Sequence, residues 1–324
     1  MREIRYVEAI TEALEEELTR DERVFLIGED IGRTGGVFGA TRGLWEKFGP
    51  DRVRQTPISE NAIIGVAAGA SLMGLRPVAE IMYFNFITLA MDQIFNQLVK
   101  LRYTSNGQLK TPVVIRTQGG GGRGKGPQHS DSLEAWFMHM PGLKIAVPST
   151  PYDAKGLLKT AIRDDNPVLF IENAMLYNER GDVPEGEYNV PLGKARVVRP
   201  GRDLTILAYS RMVYEAQRAA ATLEKMGIAA EVIDVRSLVP LDLDAIVESV
   251  KKTGRMLVVH EGYRQGGVGA EIAALVMENA FDYLDAPVER IGSQEVPIPF
   301  SQSLEEAVLP GADQIVERCR VLML

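Results

Sequence analysis

Apolar positions recur along the chain in two alternating rhythms. Val7, Ile10, Leu14 and Leu18 stand three and four residues apart, a spacing that places them on one face of a helix. The run VFLI at 24–27 is short and continuous, reads as a buried strand, and ends in Gly28, Glu29 and Asp30. A glycine-rich loop, 32–39, leads to a short helix around Leu44, Trp45 and Phe48. The stretch NAIIGVAAGASLM, 61–73, predicts a buried helix whose small residues admit close neighbours. It is entered through TPISE, with Ser59 as the cap.

The alternation continues with a strand at 77–81, an amphipathic helix over 87–102 and a strand at 113–116. QGGGGRGKG, 118–126, predicts a flexible loop. A helix at 133–140, a strand at 144–147, a helix at 154–163 and the strand VLFIE at 168–172 complete the series. Between about 178 and 201 the pattern lapses into Pro, Gly and charge, which predicts a linker. A second series comes next: strands at 204–208, 230–235 and 256–260, with helices ending near Met226 and spanning 242–252 and 269–277. The chain therefore reads as α/β, with two tandem domains, 1–185 and 186–324. Each is expected to be a mainly parallel sheet with helices on both faces.

Composition narrows the function. The 324 residues, 45% hydrophobic and 25% charged, suffice for two cores. A net charge of -8 weighs against nucleic acid, and no apolar run approaches the ~20 residues that span a bilayer. The one cysteine, Cys319, forms no internal disulfide, which suits a reducing compartment. The acidic, amphipathic N-terminus does not read as a targeting segment, so the expected location is cytoplasmic.

Three histidines and one cysteine exclude dense metal constellations. No HExxH, CxxC, GxSxG or GxxxxGK[ST] run is present. Two glycine-rich loops suggest a dinucleotide enzyme, but 32–39 lacks GxGxxG spacing and 119–126 precedes no long helix. The second loop has a functional reading in which Arg123 and Lys125 fold over an anion. Glu60 opens a helix, where a carboxylate is ordinarily a dipole-stabilised surface group. Its apolar setting, between Ile58 and Ala62-Ile63-Ile64, predicts poor solvation and reactivity instead. Phe84 and Phe86 flank Asn85 after a strand, either as core residues or at a ligand crevice. His129, in a polar loop, is a better acid–base candidate than His139 among Phe137, Met138 and Met140. His260 ends a strand and is either structural or an interface group.

Long runs carry a family pattern. GEDIG (28–32), GVFGATRGL (36–44) and TPISENAIIGVAAGASLMGLRPVAEI (56–81) resemble the β subunits of thiamine-diphosphate-dependent 2-oxoacid dehydrogenase decarboxylating components. FNFITLAMDQIFNQLVKLRY (84–103), QHSDSLEAWFMHMPGLK (128–144), PSTPYDAKGLLKTAIRDDNPVLFIE (148–172), EVIDVRSLVPLD (231–242) and KTGRMLVVHE (252–261) extend the likeness over nearly the whole chain. The resemblance implies a transketolase-like pyrimidine-binding domain and C-terminal domain. It also implies an α2β2 heterotetramer, a lipoyl-bearing acyltransferase core as partner, and cofactor shared with the α subunit. Magnesium and diphosphate would be held by α, through a GDG run followed by an asparagine pair. The only Gly-Asp here, Gly181-Asp182, is followed by Val183.

By the same resemblance, Glu60 would bond the pyrimidine ring nitrogen and Phe86 would stack on the ring. Glu29, Ile58, Ser59 and Met82 would complete the cofactor pocket. His129 would act as acid, base or carboxylate ligand during acyl transfer, in a substrate pocket with Tyr83, Phe84, Asn85 and Phe86. Val113, Ala161, Ile162, Asp164 and Asn166 match a structural potassium site of some members, mostly through backbone carbonyls. FNFITL at 84–89 is closer to pyruvate-using members than to the FADYIFP-like run of branched-chain ones, while DQIFNQ at 92–97 is also similar to acetoin dehydrogenases. Pyruvate is the expected substrate; a non-catalytic scaffold that keeps the fold is the reading from another class.

Overall fold

Strands with both faces covered need apolar side chains on both faces, and the first series supplies them. In the computed structural model, which describes residues 1–324, six strands form a parallel array. Their spatial order is Lys144–Ala146, Val168–Asn173, Val114–Gly119, Arg76–Ile81, Val24–Glu29 and Val53–Thr56. The central strands are buried almost end to end, as parallel strands under helices must be.

Two units emerge from the contacts. The first comprises Met1–Gly119 and Phe137–Leu192; the second comprises Gly120–Trp136 and Gly193–Leu324. The glycine-rich loop and His129 thus pack with the second unit, an excursion that the expected division at 185/186 did not contain. The linker expected at 178–201 is ordered: Arg180–Val183 pairs antiparallel with an N-terminal strand, Arg2–Arg5, and Arg196–Arg199 edges the second sheet. These strands are short and half-exposed, so their apolar signal is weak.

The expected helix over 87–102 is also corrected. Phe84–Ala90 is 3-10, Asp92–Leu98 is π-helical and only Leu101–Thr104 is α-helical. The helix Glu60–Leu72 packs against the first two of these segments. Gly65 faces Gln93 there, where an added Cβ would meet the side chain at 3.6 Å, an ordinary van der Waals contact.

Charge ties the first unit together in two places. The helices Tyr6–Arg20 and Pro151–Arg163 pack on each other through fully buried Lys155 and Lys159. Lys155 Nζ lies 2.6 Å from Glu16, and Lys159 Nζ lies 2.6 Å from Glu16 and 2.7 Å from Glu187. Beneath the sheet's carboxyl edge, Arg116 donates to both oxygens of Glu172 at 2.6 and 3.0 Å and to Glu80 at 2.7 Å. Burial, only partly offset by Arg116, raises the Glu80 carboxyl above its ordinary range.

The second unit carries strands Glu289–Ser293, Met256–Tyr263, Leu204–Ala208 and Ala230–Asp234 in parallel, with antiparallel Arg196–Arg199 at one edge. Its core joins Leu204, Ile206, Val213, Val232, Leu257 and Ile315 with buried Cys319. His260, placed by sequence as structural or interfacial, is wholly buried in this unit. Gly267 and Gly269 lie against its ring, where a Cβ would come within 2.6 and 3.0 Å. One Glu134 oxygen and the Tyr209 hydroxyl find no protein partner around a cavity of about 50 Å³ that His260 also lines. Burial raises the Glu134 carboxyl to about 8 and lowers the His260 imidazole to about 4.

The burial of these charged groups has measurable consequences. Arg116→Met strands Glu80 and Glu172 without their cation, and chemical denaturation should show a loss of about 3–5 kcal/mol. Glu134, raised on folding from 4.5 to about 8, stabilises fully below pH 4.5 and loses that contribution as pH rises through 8. His260, lowered from 6.5 to about 4, has the opposite sign, with stability lost as pH falls through 4. Above pH 6.5 only the Glu134 loss remains, so Glu134→Gln should abolish a decline of about 2 kcal/mol between pH 6.5 and 8. Thermal melts that stay parallel for the two proteins across this range would refute the assignment.

Candidate functional site

Parallel strands deliver their carboxyl ends to one edge, and the first unit uses that edge. Glu29 ends its strand opposite Thr56 on the neighbouring strand. Ile81 ends the strand on the other side, so Glu29, the 57–60 turn and Met82 leave three adjacent strands together. Ser59 Oγ caps the helix by accepting from the Ala62 amide at 3.4 Å, and Glu60 is the first helical residue. Glu60 is only 8% exposed, as its apolar surroundings predicted. The Glu29 carboxyl is pushed up by burial, by Asp30 and by Glu60. Two carboxyl groups thus stand at this edge, with Glu29 resisting ionisation.

The segment after Ile81 supplies an aromatic wall. Phe86 meets Tyr83 edge to face at 5.5 Å, Tyr83 meets Phe38 at 5.5 Å, and Phe38 meets Tyr177 at 5.6 Å. Gln118 Nε2 donates to the Met82 carbonyl at 3.3 Å and links this segment to the central strand. The two phenylalanines of FNF part company. Phe86 is half-buried beside Tyr83, whereas Phe84 is fully buried and packs on Phe137 at 5.5 Å. Asn85 is half-buried, with its carbonyl accepting from Thr88. Ile58 is 74% exposed, an apolar side chain held out on the turn.

His129 is half-buried in the second unit, and its amide closes a turn onto the Gly126 carbonyl at 3.2 Å. His139 is exposed in the first unit. The loop before His129 is sculpted, contrary to the flexibility expected of QGGGGRGKG. Gly120, Gly122, Gly124 and Gly126 have φ of 88°, 98°, 62° and 73°, so every second residue is left-handed and needs glycine. The amides of the loop point into carboxylates: Gly121 to Glu261 at 2.6 Å, and Gly122 and Gly124 to Glu305 at 2.7 and 2.8 Å. Those donors are engaged inside the unit. Tyr263 adds a hydroxyl bond to Asp131 at 2.9 Å, two residues beyond His129. Sequence reasoning missed Glu261, Tyr263 and Glu305 because nothing local marks a carboxylate or phenol as the partner of a loop more than 130 residues away.

At the expected potassium corner, Arg76 donates to the Ile162 carbonyl at 2.8 Å and the Asp164 carbonyl at 2.5 Å. The Ala161 and Val113 carbonyls accept from Asp164 and Val168, and the Asn166 side chain accepts from Arg102 at 2.6 Å. The Arg76 guanidinium thus lies at this corner, and the Val113, Ala161, Ile162 and Asp164 carbonyls each accept one protein hydrogen bond.

The first unit is thus a parallel-sheet domain with two carboxyl groups and an aromatic wall at its carboxyl edge, and the second unit is also α/β. Residues 2–180 match the transketolase pyrimidine binding domain and residues 193–315 the transketolase C-terminal domain. The solved structure titled "split gene transketolase, inactive beta4 tetramer" superposes with a TM-score of 0.80 at 25% identity, covering 99% of this chain and 98% of that one. Over 323 residues the chain is 47% identical to the pyruvate dehydrogenase E1 component subunit beta of Gracilaria tenuistipitata var. liui, covering 100% of both. It is 46% identical to the 2-oxoisovalerate dehydrogenase subunit beta of Bacillus subtilis (strain 168), over 98% of each. It is 47% identical to the acetoin:2,6-dichlorophenolindophenol oxidoreductase subunit beta of Cupriavidus necator, over 97% of this chain and 96% of that one. The chain belongs to the transketolase family and, within it, to the β subunits of 2-oxoacid dehydrogenase E1 components. No helix is long and apolar enough to cross a membrane.

Gly126 tests the sculpted loop. An alanine Cβ there would stand 2.3–2.6 Å from the Phe300 ring, at a φ that disfavours side chains. Gly126→Ala should cost about 1–3 kcal/mol. Pairing it with Phe300→Ala should recover part of that loss in thermal melts, because only the steric half of the cost is removed.

Proposed function

We propose that this chain is the β half of a pyruvate-decarboxylating, acetyl-transferring E1 enzyme, and that Glu60 is its proton-holding residue. The observation that carries the reading is the buried Glu60 at a helix start, beside the raised carboxyl of Glu29 and an aromatic wall. Those residues fit an aminopyrimidine: a carboxyl group to bond a ring nitrogen, and apolar rings to cover a planar face. Thiamine diphosphate, when bound, supplies a carbon nucleophile and an electron sink that no side chain here offers.

Each residue then has a definite task. Glu60 shares a proton with a pyrimidine ring nitrogen, and low solvation keeps that proton from leaking to water. Phe86 and Tyr83 wall the ring, while Ile58, Ser59 and Met82 complete its rim. Asn85 and Phe86 border the substrate, and Phe84 backs them from the core. His129 delivers or removes a proton as the acyl group passes to a lipoyl carrier, or binds the substrate carboxylate before decarboxylation.

The chain lacks the GDG run and asparagine pair, so a partner α subunit holds magnesium and the diphosphate. An α2β2 assembly and a lipoyl-bearing acyltransferase core belong to the same reading. The single buried Cys319 fits a reducing compartment, and we place the enzyme in the cytoplasm. FNF at 84–86 favours pyruvate; DQIFNQ at 92–97 keeps acetoin as the second substrate to test.

Co-assembly with the α-type subunit and an artificial-acceptor assay should give thiamine-dependent turnover fastest with pyruvate, ahead of 2-oxoisovalerate and acetoin. Glu60→Gln in that assembly should lower turnover at least ~100-fold without dissociating the subunits. Unchanged turnover in the variant would overturn the role of Glu60, and acetoin as the fastest substrate would replace pyruvate.

A further inference from the structure

Carboxylates rarely sit fully buried with only backbone amides for company, because burial removes the water that normally stabilises the charge. Glu305 does so. It lies on the short helix Gln302–Val308, is 1% exposed, and receives the Gly122 amide on one oxygen and the Gly124 amide on the other. Charged hydrogen bonds of this kind are about twice as strong as neutral ones. They offset the burial of the charge, and they act on a loop made largely of glycines.

Three further contacts act on the same loop. Glu261 takes the Gly121 amide, Arg211 donates to the Gly121 carbonyl at 3.3 Å, and Tyr263 holds Asp131. The leucine and phenylalanine beside Glu305 fill the remaining space. A Cβ on Gly121 would come within 2.8 Å of Leu309, and one on Gly126 would enter the Phe300 ring. The loop is therefore held on both sides of Pro127-Gln128-His129, at Gly124 before and at Asp131 after.

We propose that Glu305 is a positioning residue for His129: by holding the Gly122 and Gly124 amides it fixes the loop that presents the imidazole for acyl transfer to the lipoyl group. The proposal rests on the acyl-transfer role of His129, and goes beyond it in naming the group that keeps the imidazole in place. Glu305 touches neither substrate nor cofactor in this scheme. Its effect is confined to the step that needs an ordered His129.

Glu305→Gln tests this in the assembled enzyme. The carboxamide keeps one acceptor oxygen and turns a donor toward the other amide, so one tether is lost at almost constant volume. Hydrogen exchange of the 119–128 peptide should accelerate about 10-fold or more. Transfer to a lipoyl domain should fall about 10- to 100-fold, while artificial-acceptor turnover stays within about 3-fold. In His129→Ala, adding Glu305→Gln should cause no further loss of transfer, because the positioned group is already gone.

Unchanged exchange, or losses that multiply in the double variant, would overturn the proposal. If His129→Ala alone leaves transfer intact, the role of His129 fails; accelerated exchange in Glu305→Gln would still establish the tether and locate the error in the function of the imidazole. Should Glu305→Gln not assemble, Tyr263→Phe removes only the hydroxyl that holds Asp131 and should give the same selective loss of transfer. Equal loss in both assays for Tyr263→Phe would count against a positioning role.

Discussion

The Arg116 guanidinium is the constraint on which the first unit depends. It sits on the central strand Val114–Gly119 and bonds Glu80 and Glu172 on the strands to either side. A buried carboxylate pair without this cation would have to stay protonated or open the sheet. With it, three strands are fixed in register just where their carboxyl ends release Met82 and the aromatic segment. Tyr177 extends the network by donating to Glu172 at 2.8 Å and also touches Phe38 of the wall. Charge thus aligns the edge on which an uncharged ring is expected to bind.

The same edge shows why Glu60 is legible in sequence and Glu80 is not. Glu60 follows a cap and precedes an apolar helix, so its low solvation can be inferred from its neighbours. Glu80 lies in PVAEI, where an acidic residue in a strand pattern ordinarily faces water. Only the register that pairs it with Arg116 shows its burial. Long-range register is what a single sequence withholds, and the missed strands Arg2–Arg5 and Arg180–Val183 illustrate it again. Each is short, polar and defined by a partner far along the chain.

The helix expected over 87–102 was corrected for a different reason. Its apolar spacing satisfies a helical template, and the backbone is helical, but it winds as 3-10 and then π. Phe84 turns into the core while Phe86 stays with Tyr83, because residues two apart on a helix of either pitch point to different sides. Periodicity reports the presence of a helix more faithfully than its pitch. The aromatic pair was read from sequence with both a core and a ligand role open, and the fold assigns the core to Phe84.

The glycine loop brings these threads to a mechanistic point. A run such as QGGGGRGKG carries no side-chain information about order, so composition alone predicts mobility. Order is imposed from the partner side, by Glu261 and Glu305, whose own sequence surroundings, HEGY and SLEEAV, show no sign of it. The division of labour is physically sensible. Alternating left-handed glycines let the chain present several amides in one direction, and buried carboxylates read those amides as a single surface. A loop built this way is rigid where it is tethered, and His129 follows that tethered stretch in the chain.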